Sequence, residues 1–352
     1  MKPSLKTAAT AAFLLQALPL VAAEQVPLYK TLKSWTVACD NTRQCTAISN
    51  GESEDGSPLT IRILREAGPE APVHLSLISA LELNGASPAL ILDGQPLESK
   101  VQRVQGDGEG EPDWIAEGPE GVALVDELRN GTQLSISLPD GEDAITDLAG
   151  LSASLLLIDS VQGRLDTRGA LIRRGKRADT EVPPAPLAPS ISGFRRAEPM
   201  GEEEAGRIGD AVLAATRDDW KDDIGENVPP SAEVFALDAQ TALAIVQTWC
   251  GAYNCGYRLY KTPRAEPQHV VALKVDPLPT TDLGGEPSGT VGYDQETGEL
   301  NSFNRGRGIG DCGVNQSWRY DGEGFRPSYL AIMGSCSGVS ADFWPVLWRT
   351  QP

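Results

Sequence analysis

Histidine is scarce in this 352-residue sequence, which contains two, His74 and His269. His74 lies on the alternate face of a predicted strand and His269 begins another, so both are expected to be surface residues rather than general bases. The sequence also lacks the GxSxG, HExxH and SxxK signatures of serine and zinc hydrolases. These absences weigh against an enzyme and suggest no cofactor or metal, although 49 acidic residues leave a catalytic carboxylate pair open.

Positive charge is also in short supply. Lysine and arginine together number 30 against the 49 acidic residues, which gives a formal net charge of −19. Removal of an N-terminal leader containing Lys2 and Lys6 would make the remainder more acidic still. Because such a chain repels nucleic acid and anionic lipid head groups, neither is predicted as a partner.

A long apolar run is missing from all but the N-terminus. Residues 1–23 combine two early lysines, an Ala- and Leu-rich stretch and small residues before Glu24, which predicts a secretory signal peptide. A retained membrane anchor is the alternative, but Gln16 and Pro19 interrupt the run, and a spanning helix needs about 20 apolar residues. We therefore expect a periplasmic or secreted protein with no membrane span after cleavage.

The cysteines form an even set, as expected of disulfides in an exported protein. Their spacing favours three short-range pairs, which are Cys39 with Cys45, Cys250 with Cys255, and Cys312 with Cys336. A zinc site made from the last four of these cysteines is the alternative. It is disfavoured because an oxidising compartment promotes disulfides and no spacing matches a pair of CxxC motifs.

The first half of the mature chain predicts an antiparallel β-sandwich over residues 24–177. From Leu59 to about Gly175 the sequence alternates with period two, and turn signals separate the strands at residues 93–94, 130–131 and 140–141. One predicted strand face comprises Val73, Leu75, Leu77, Ser79, Leu81 and Leu83, and another comprises Leu134, Ile136 and Leu138. The apolar segment from Leu151 to Ile158 is compatible with either a central strand or a short buried helix.

A proline-rich stretch over residues 178–200 predicts a semi-rigid linker before a second β-rich domain, residues 201–352. That domain should begin with a helix, because three glutamates precede apolar residues at helical spacing, and the helix should end near Trp220. Beyond it we expect an antiparallel sheet or small barrel with one or two helices. The predicted strands are 234–237, 241–249, 256–260, 270–275, 290–293, 300–303, 318–320 and 329–333.

Two clusters have both a structural and a binding interpretation. Four aspartates around Trp220, at positions 218, 219, 222 and 223, could suggest calcium, but they lack the spacing of a calcium loop and predict a solvated helix end. The apolar C-terminal segment 343–349 is expected to be buried as a closing strand. If it were exposed, it would be a partner-binding patch.

The glycine-rich run over residues 305–313 contains GxGxxG spacing, but turns and strands surround it instead of a βαβ unit. It predicts a loop with unusual backbone angles, held by the disulfide of Cys312. The functional alternative is a ligand loop in which Arg305 and Arg307 bind an anionic partner while Asp311 orients them.

Several of these segments resemble an envelope protein family of proteobacteria, domain of unknown function 1176. The resemblance rests on the segments 35–41 with Cys45, 250–254, 306–313 and 344–349 with Cys336. Residues 30–175 are also similar to invasion-associated locus B proteins, through a Trp-x-Val-x-Cys-Asp opening and the segment 148–152. Both likenesses imply an envelope or secreted address, and neither implies an activity or functional residues.

The sequence therefore predicts an exported, disulfide-stabilised binding or interaction module whose partner is an envelope protein or glycan. A hydrolase that acts on an envelope polymer with carboxylates is one alternative. A structural scaffold without a ligand is the other.

Overall fold

The structure, a computed structural model, describes residues 25–51, 57–79, 89–104, 114–137, 143–223, 229–279 and 285–351. The predicted signal peptide, Leu81, Leu83, Leu138 and the turn at 140–141 lie outside these residues. Within them the protein is mainly β, with sandwich-like, largely antiparallel sheets and few helices, which confirms the predicted fold class. None of the helices described is long and apolar enough to cross a membrane.

The strands of the first half of the described chain join into one sheet system. They are β1 (Leu28–Leu32), β2 (Trp35–Cys39), β3 (Cys45–Ser49), β4 (Ser57–Arg65), β5 (Val73–Ser79), β6 (Leu90–Leu92), β7 (Gln95–Pro96), β8 (Gln102–Arg103), β9 (Trp114–Glu117), β10 (Gln133–Ser137) and β11 (Asp143–Asp147).

Strand β4 belongs to both layers of this sandwich. Its later part pairs with β3 and β5, and through them with β1, β2, β9 and β8. Its start pairs with β11, which leads to β10, β6 and β7. The β4–β11 pair is parallel, whereas the other strand pairs described in this sandwich are antiparallel. The alternating apolar residues of these strands meet in a shared core around Trp35, Ile61, Leu75 and Trp114.

Two helices close this core. The apolar segment from Leu151 to Ile158, for which a strand and a helix were both compatible with the sequence, is a helix. This helix is α2 (Leu151–Val161), and its Leu151, Leu155 and Ile158 are fully buried. A second helix, α1 (Gly118–Leu128), stands where the sequence predicted only alternating strands, so that prediction was wrong there. Its Leu124, Val125 and Leu128 share one buried face at helical spacing.

The second half contains α3 (Glu202–Ala215), α4 (Arg217–Trp220) and a sheet whose order follows the chain except that β15 pairs only with β14. Its strands are β12 (Ser231–Ala236), β13 (Thr241–Cys250), β14 (Cys255–Pro263), β15 (Val271–Ala272), β16 (Ser288–Asp294), β17 (Glu299–Arg305), β18 (Gly313–Tyr320), β19 (Phe325–Met333) and β20 (Val346–Arg349). The sheet is open among the described residues, so of the two forms predicted it is a sheet and not a barrel.

Both faces of β13 are buried, and its period-two pattern shows how. Ala242, Ala244 and Val246 face α3, where they pack with Ile208 and Val212. The residues between them, including Leu243 and Ile245, enter a separate core built around Trp318 and Phe325. Short glycine turns, such as the one between β18 and β19, connect the neighbouring antiparallel strands.

The proline-rich segment lies extended against the second sheet. The Gln351 amide donates to the Pro189 carbonyl oxygen over 2.8 Å, and Arg196 pairs with Glu296 at 2.6 Å. The two halves also touch directly, because Ile48 of β3 packs in one cluster with Trp344, and Arg349 forms an ion pair with the buried Asp40. The division into domains at 178–200 therefore stays a prediction.

The C-terminal segment is a closing strand, as the sequence predicted. Strand β20 pairs with β19, and Trp344 and Leu347 are almost completely buried. A 3₁₀ turn, Ala341–Phe343, leads into it. This segment is consequently not a free binding patch.

Candidate functional site

The glycine-rich run is the loop of the β17–β18 hairpin. Arg305 and Gly313 pair at its base, and the Gly306 amide donates to the Cys312 carbonyl oxygen over 2.7 Å. Gly313 has a φ of 138°, and a Cβ there would collide with the Asn304 carbonyl, which explains the glycine. Because a strand follows the run, the GxGxxG spacing has no helix N-terminus with which to bind a phosphate.

The structure joins the six cysteines in the three pairs that the spacing favoured. Cys312–Cys336 ties the loop to the segment after β19, and Cys250–Cys255 closes the β13–β14 hairpin. An oxygen of Asp311 lies within 4.8 Å of the sulfurs of Cys312 and Cys336. Since those sulfurs are bonded to each other and zinc binds thiolates, the four-cysteine zinc alternative is not available in this oxidised state.

The two disulfide-bonded loops form one continuous surface. The side chain of Asn254 donates to the Arg305 carbonyl oxygen over 2.8 Å and accepts from the Arg305 amide over 2.9 Å. The Tyr253 hydroxyl donates to the Gly306 carbonyl oxygen over 3.4 Å. We call the outward side of this pair the loop surface, defined by Tyr253, Arg305, Arg307 and Ile309.

Asp311 holds Arg307 in a bidentate ion pair. The Arg307 Nε lies 2.7 Å from Oδ1, and Nη2 donates to Oδ2, which also accepts from the Gly338 amide. The hydrogen bonds from Arg307 lower the pKa of the Asp311 carboxyl below its ordinary value. The carboxyl is buried while the guanidinium is half exposed, so Asp311 acts as the anchor and Arg307 as the outward group.

The sequence suggested that Asp311 orients both arginines, but other groups contact Arg305. Its guanidinium carbon lies 5.7 Å from the centre of the Phe303 ring, a cation–π geometry. Phe303 in turn packs on Trp344, with ring centres 5.4 Å apart. Asp311 thus orients Arg307, whereas an aromatic ring and the Asn254 clamp hold Arg305.

Exposed apolar side chains concentrate beside these loops. Among the described residues, six large hydrophobic side chains are exposed, and three of them lie on or next to the loop surface. Ile309 is 75% exposed, Tyr253 40% and Trp249 41%. Such clustering is typical of interaction sites rather than of scattered surface residues.

A groove that sequence reasoning missed runs along β14. Two adjoining cavities of about 360 and 290 Å³ share Tyr257, Arg258, Glu286 and Pro287. They lie where β14 changes partner, from β16 at Gly256 to β15 at Tyr260. We call this the β14 groove and define it by Asp219, Trp249, Tyr257, Arg258, Tyr260 and Glu286.

The other candidate residues have local partners. Nδ1 of His74 lies 2.9 Å from Glu117, and that of His269 lies 3.2 Å from Glu266, all on the surface. Three of the four aspartates around Trp220 have separate partners: Asp218 pairs with Lys221, Asp219 with Tyr260 and Asp223 with Arg258. They form the end of a helix, as predicted, and do not converge on one point.

Comparison with known proteins identifies relatives of this chain. It is 27% identical over 360 residues to an Escherichia coli K12 protein, uncharacterized protein YpfG, and the match covers 96% of this chain and 98% of that protein. The crystal structure of invasion associated protein B from Bartonella henselae aligns with 39% of this chain and 99% of that one, at 14% identity and a TM-score of 0.26. The second likeness is too slight to transfer any property.

The family model described as protein of unknown function DUF1176 matches residues 29–351, from β1 to the end of the described chain. The segments that carried the resemblance in the sequence, including the glycine-rich loop and the C-terminal strand, all lie within this match. The chain belongs to the DUF1176 family.

Proposed function

We propose that the protein is an exported binding module of the cell envelope that holds a partner protein on the loop surface. Export follows from the signal peptide predicted over residues 1–23, and disulfides suit an oxidising compartment. The observation that carries the proposal is the loop surface itself, which presents two arginines and two exposed apolar side chains on a covalently braced frame.

Bracing favours binding because a surface that is already ordered loses little entropy when a partner docks. The Cys312–Cys336 bond, the Asn254 clamp and the Asp311 carboxylate each fix a different point of the loop. The loop surface is therefore prepared for contact before the partner arrives.

The composition of the loop surface indicates the partner. Arginine and tyrosine are enriched at the centres of protein interfaces, where they combine apolar area with hydrogen bonding. Arg307 presents a half-exposed guanidinium at this surface, beside the partly buried Arg305. We infer a partner with acidic residues beside an apolar patch, and complementary charge would guide its approach.

The hydrolase alternative would need a carboxyl group with a raised pKa that faces a substrate, and Asp159 does not meet that requirement. Burial raises the pKa of Asp159, but this residue is fully buried in the first core. Its oxygens accept from the amides of Leu171 and Ile172 over 3.0 and 2.9 Å, and Arg65 lies 3.5 Å away. Asp159 therefore holds a loop in place and does not face a substrate.

The test is crosslinking of the tagged mature protein in its own periplasm, followed by identification of what copurifies. The variant is Arg305→Ala with Arg307→Ala. The matched control is Arg195→Ala with Arg196→Ala, which removes two exposed arginines from the proline-rich segment. The proposal predicts one discrete partner, lost in the first variant and kept in the control. Equal recovery of a partner with both variants would mean that it docks elsewhere and would contradict the loop surface, whereas no partner at all would favour the scaffold interpretation.

A further inference from the structure

We propose that the β14 groove binds a short oligosaccharide, with the indole of Trp249 as its stacking platform. This site adjoins the loop surface, whose definition does not include Trp249, and does not depend on the partner proposed for it. The argument rests on how Trp249 is held, on the polar residues beside it and on the size of the groove.

Trp249 is held outward by three local features. A β-bulge between Gln247 and Trp249 interrupts the pairing of β13 with β14, and bulges re-aim side chains in this way. The Cys250–Cys255 bond fixes the hairpin immediately beyond it. On the neighbouring strand, a Cβ at Gly256 would lie 2.7 Å from the indole Cδ1, so the ring rests directly against the glycine backbone.

The five-membered part of the indole rests against Gly256, and much of the side chain remains accessible. Trp249 is 41% exposed although tryptophan is normally among the most buried residues. Its π face is electron-rich, and one face of a pyranose ring presents a set of weakly positive C–H groups. A sugar ring therefore matches this surface in both flatness and charge.

The polar lining of the groove supplies both donors and acceptors. Arg258 pairs with Asp223 at 2.6 Å, and the Tyr260 hydroxyl lies 3.3 Å from Asp219. Burial raises the pKa of the Tyr257 and Tyr260 hydroxyls, so both stay protonated at neutral pH, and Tyr260 uses its proton to donate to Asp219. Sugar hydroxyls each donate and accept, which suits a lining that contains the cations of Arg258 and Lys274 as well as the carboxylates of Asp219, Asp223 and Glu286.

The size of the groove sets the length of the ligand. Its two cavities, about 360 and 290 Å³, stand near the lower end of the range of about 300–1,000 Å³ that is typical of small-molecule sites. They adjoin at Tyr257 and Arg258, with Trp249 on one side and Tyr260 on the other. This arrangement fits a few linked sugar rings better than a single one.

The test is isothermal titration calorimetry of the mature, disulfide-bonded protein with three trisaccharides: chitotriose, cellotriose and maltotriose. We expect at least one to bind with a Kd of about 1 mM or tighter. Trp249→Ala should weaken that binding about tenfold or more, because truncating a central aromatic anchor removes most of its contact. Gly256→Ala should weaken it similarly by pushing the indole aside without removing it.

The matched control is Ile309→Ala, which truncates an exposed apolar residue of the loop surface and should leave sugar affinity unchanged. Thermal unfolding of each variant verifies that it is folded. The proposal is overturned if none of the three sugars binds at about 10 mM, or if folded Trp249→Ala binds as tightly as the unaltered protein. Binding of an acidic peptide but no sugar at Trp249 would also overturn it. None of these three outcomes affects the crosslinking result expected of Arg305 and Arg307, so the two proposals fail separately.

Discussion

Replacing Cys312 and Cys336 with alanine removes the bond that ties the loop surface to the segment after β19. The bond closes a sequence separation of 24 residues, for which the chain-entropy relation gives about 3.5 kcal/mol of stabilisation. The Cys250–Cys255 bond closes only 5 residues, and the same relation gives about 2 kcal/mol. Removing the longer bond should therefore cost about 1.4 kcal/mol more in the free energy of unfolding.

Packing should widen this difference. Cys312 is 2% exposed and lies in a cluster with Ile48, Met333 and Trp344, so its truncation also removes buried contacts. The assay is guanidinium denaturation of the two double-alanine variants at neutral pH without reductant. Both bonds brace the same sheet, which makes the comparison direct. If the Cys250–Cys255 variant were the less stable of the two, the view that the longer bond anchors the loop surface would be refuted.

The remaining predictions concern charge and helix propensity. Because the pKa of Asp311 is lowered by Arg307, the pair stabilises the folded state at neutral pH, and this contribution is lost as the pH falls below about 4; Asp311→Asn should flatten the acid limb of a stability–pH profile. Asp159→Ala should cost about 3–5 kcal/mol in denaturant titration, since it leaves the buried Arg65 without its carboxylate, and a near-zero change would contradict the assignment. Gly206→Ala, at an exposed position inside α3 with open space around it, should stabilise the protein by about 0.8–1 kcal/mol, measured as a higher denaturation midpoint.

Much of the fold follows from local patterns in the sequence. Period-two alternation located β5, β10 and most strands of the second sheet, because each buries alternate residues against a core. Acidic residues before an apolar stripe located α3. These signals lie within single elements, so one sequence contains them in full.

Helix α1 has local helix signals in its sequence, but the strand pattern on either side of it led to the wrong prediction. A proline in its first turn and apolar residues at positions 124, 125 and 128 are typical of a helix. The segment is short and lies between strands with strong alternation, which made a strand the simpler interpretation. The parallel contact between β4 and β11 left no local signal, since it joins residues more than 80 positions apart.

Of the two candidate sites, the sequence indicated the one formed within a single loop and missed the one formed by distant segments. The ion pair of Arg307 with Asp311 spans four residues within one loop, and the sequence suggested it. The β14 groove was missed because Trp249 lies in β13 and Glu286 in the segment before β16, and only the change of partner along β14 brings them together. An exposed tryptophan within an apolar strand has the same local pattern as a buried one.

The central claim, that a partner docks on the loop surface, is tested most directly by site-specific photocrosslinking in the periplasm. A photoreactive phenylalanine analogue is placed at Ile309 and, as a control, at Leu187, which is 87% exposed in the proline-rich segment. The account predicts a discrete adduct from position 309 and none from position 187. No adduct from position 309, or the same adducts from both positions, would contradict it.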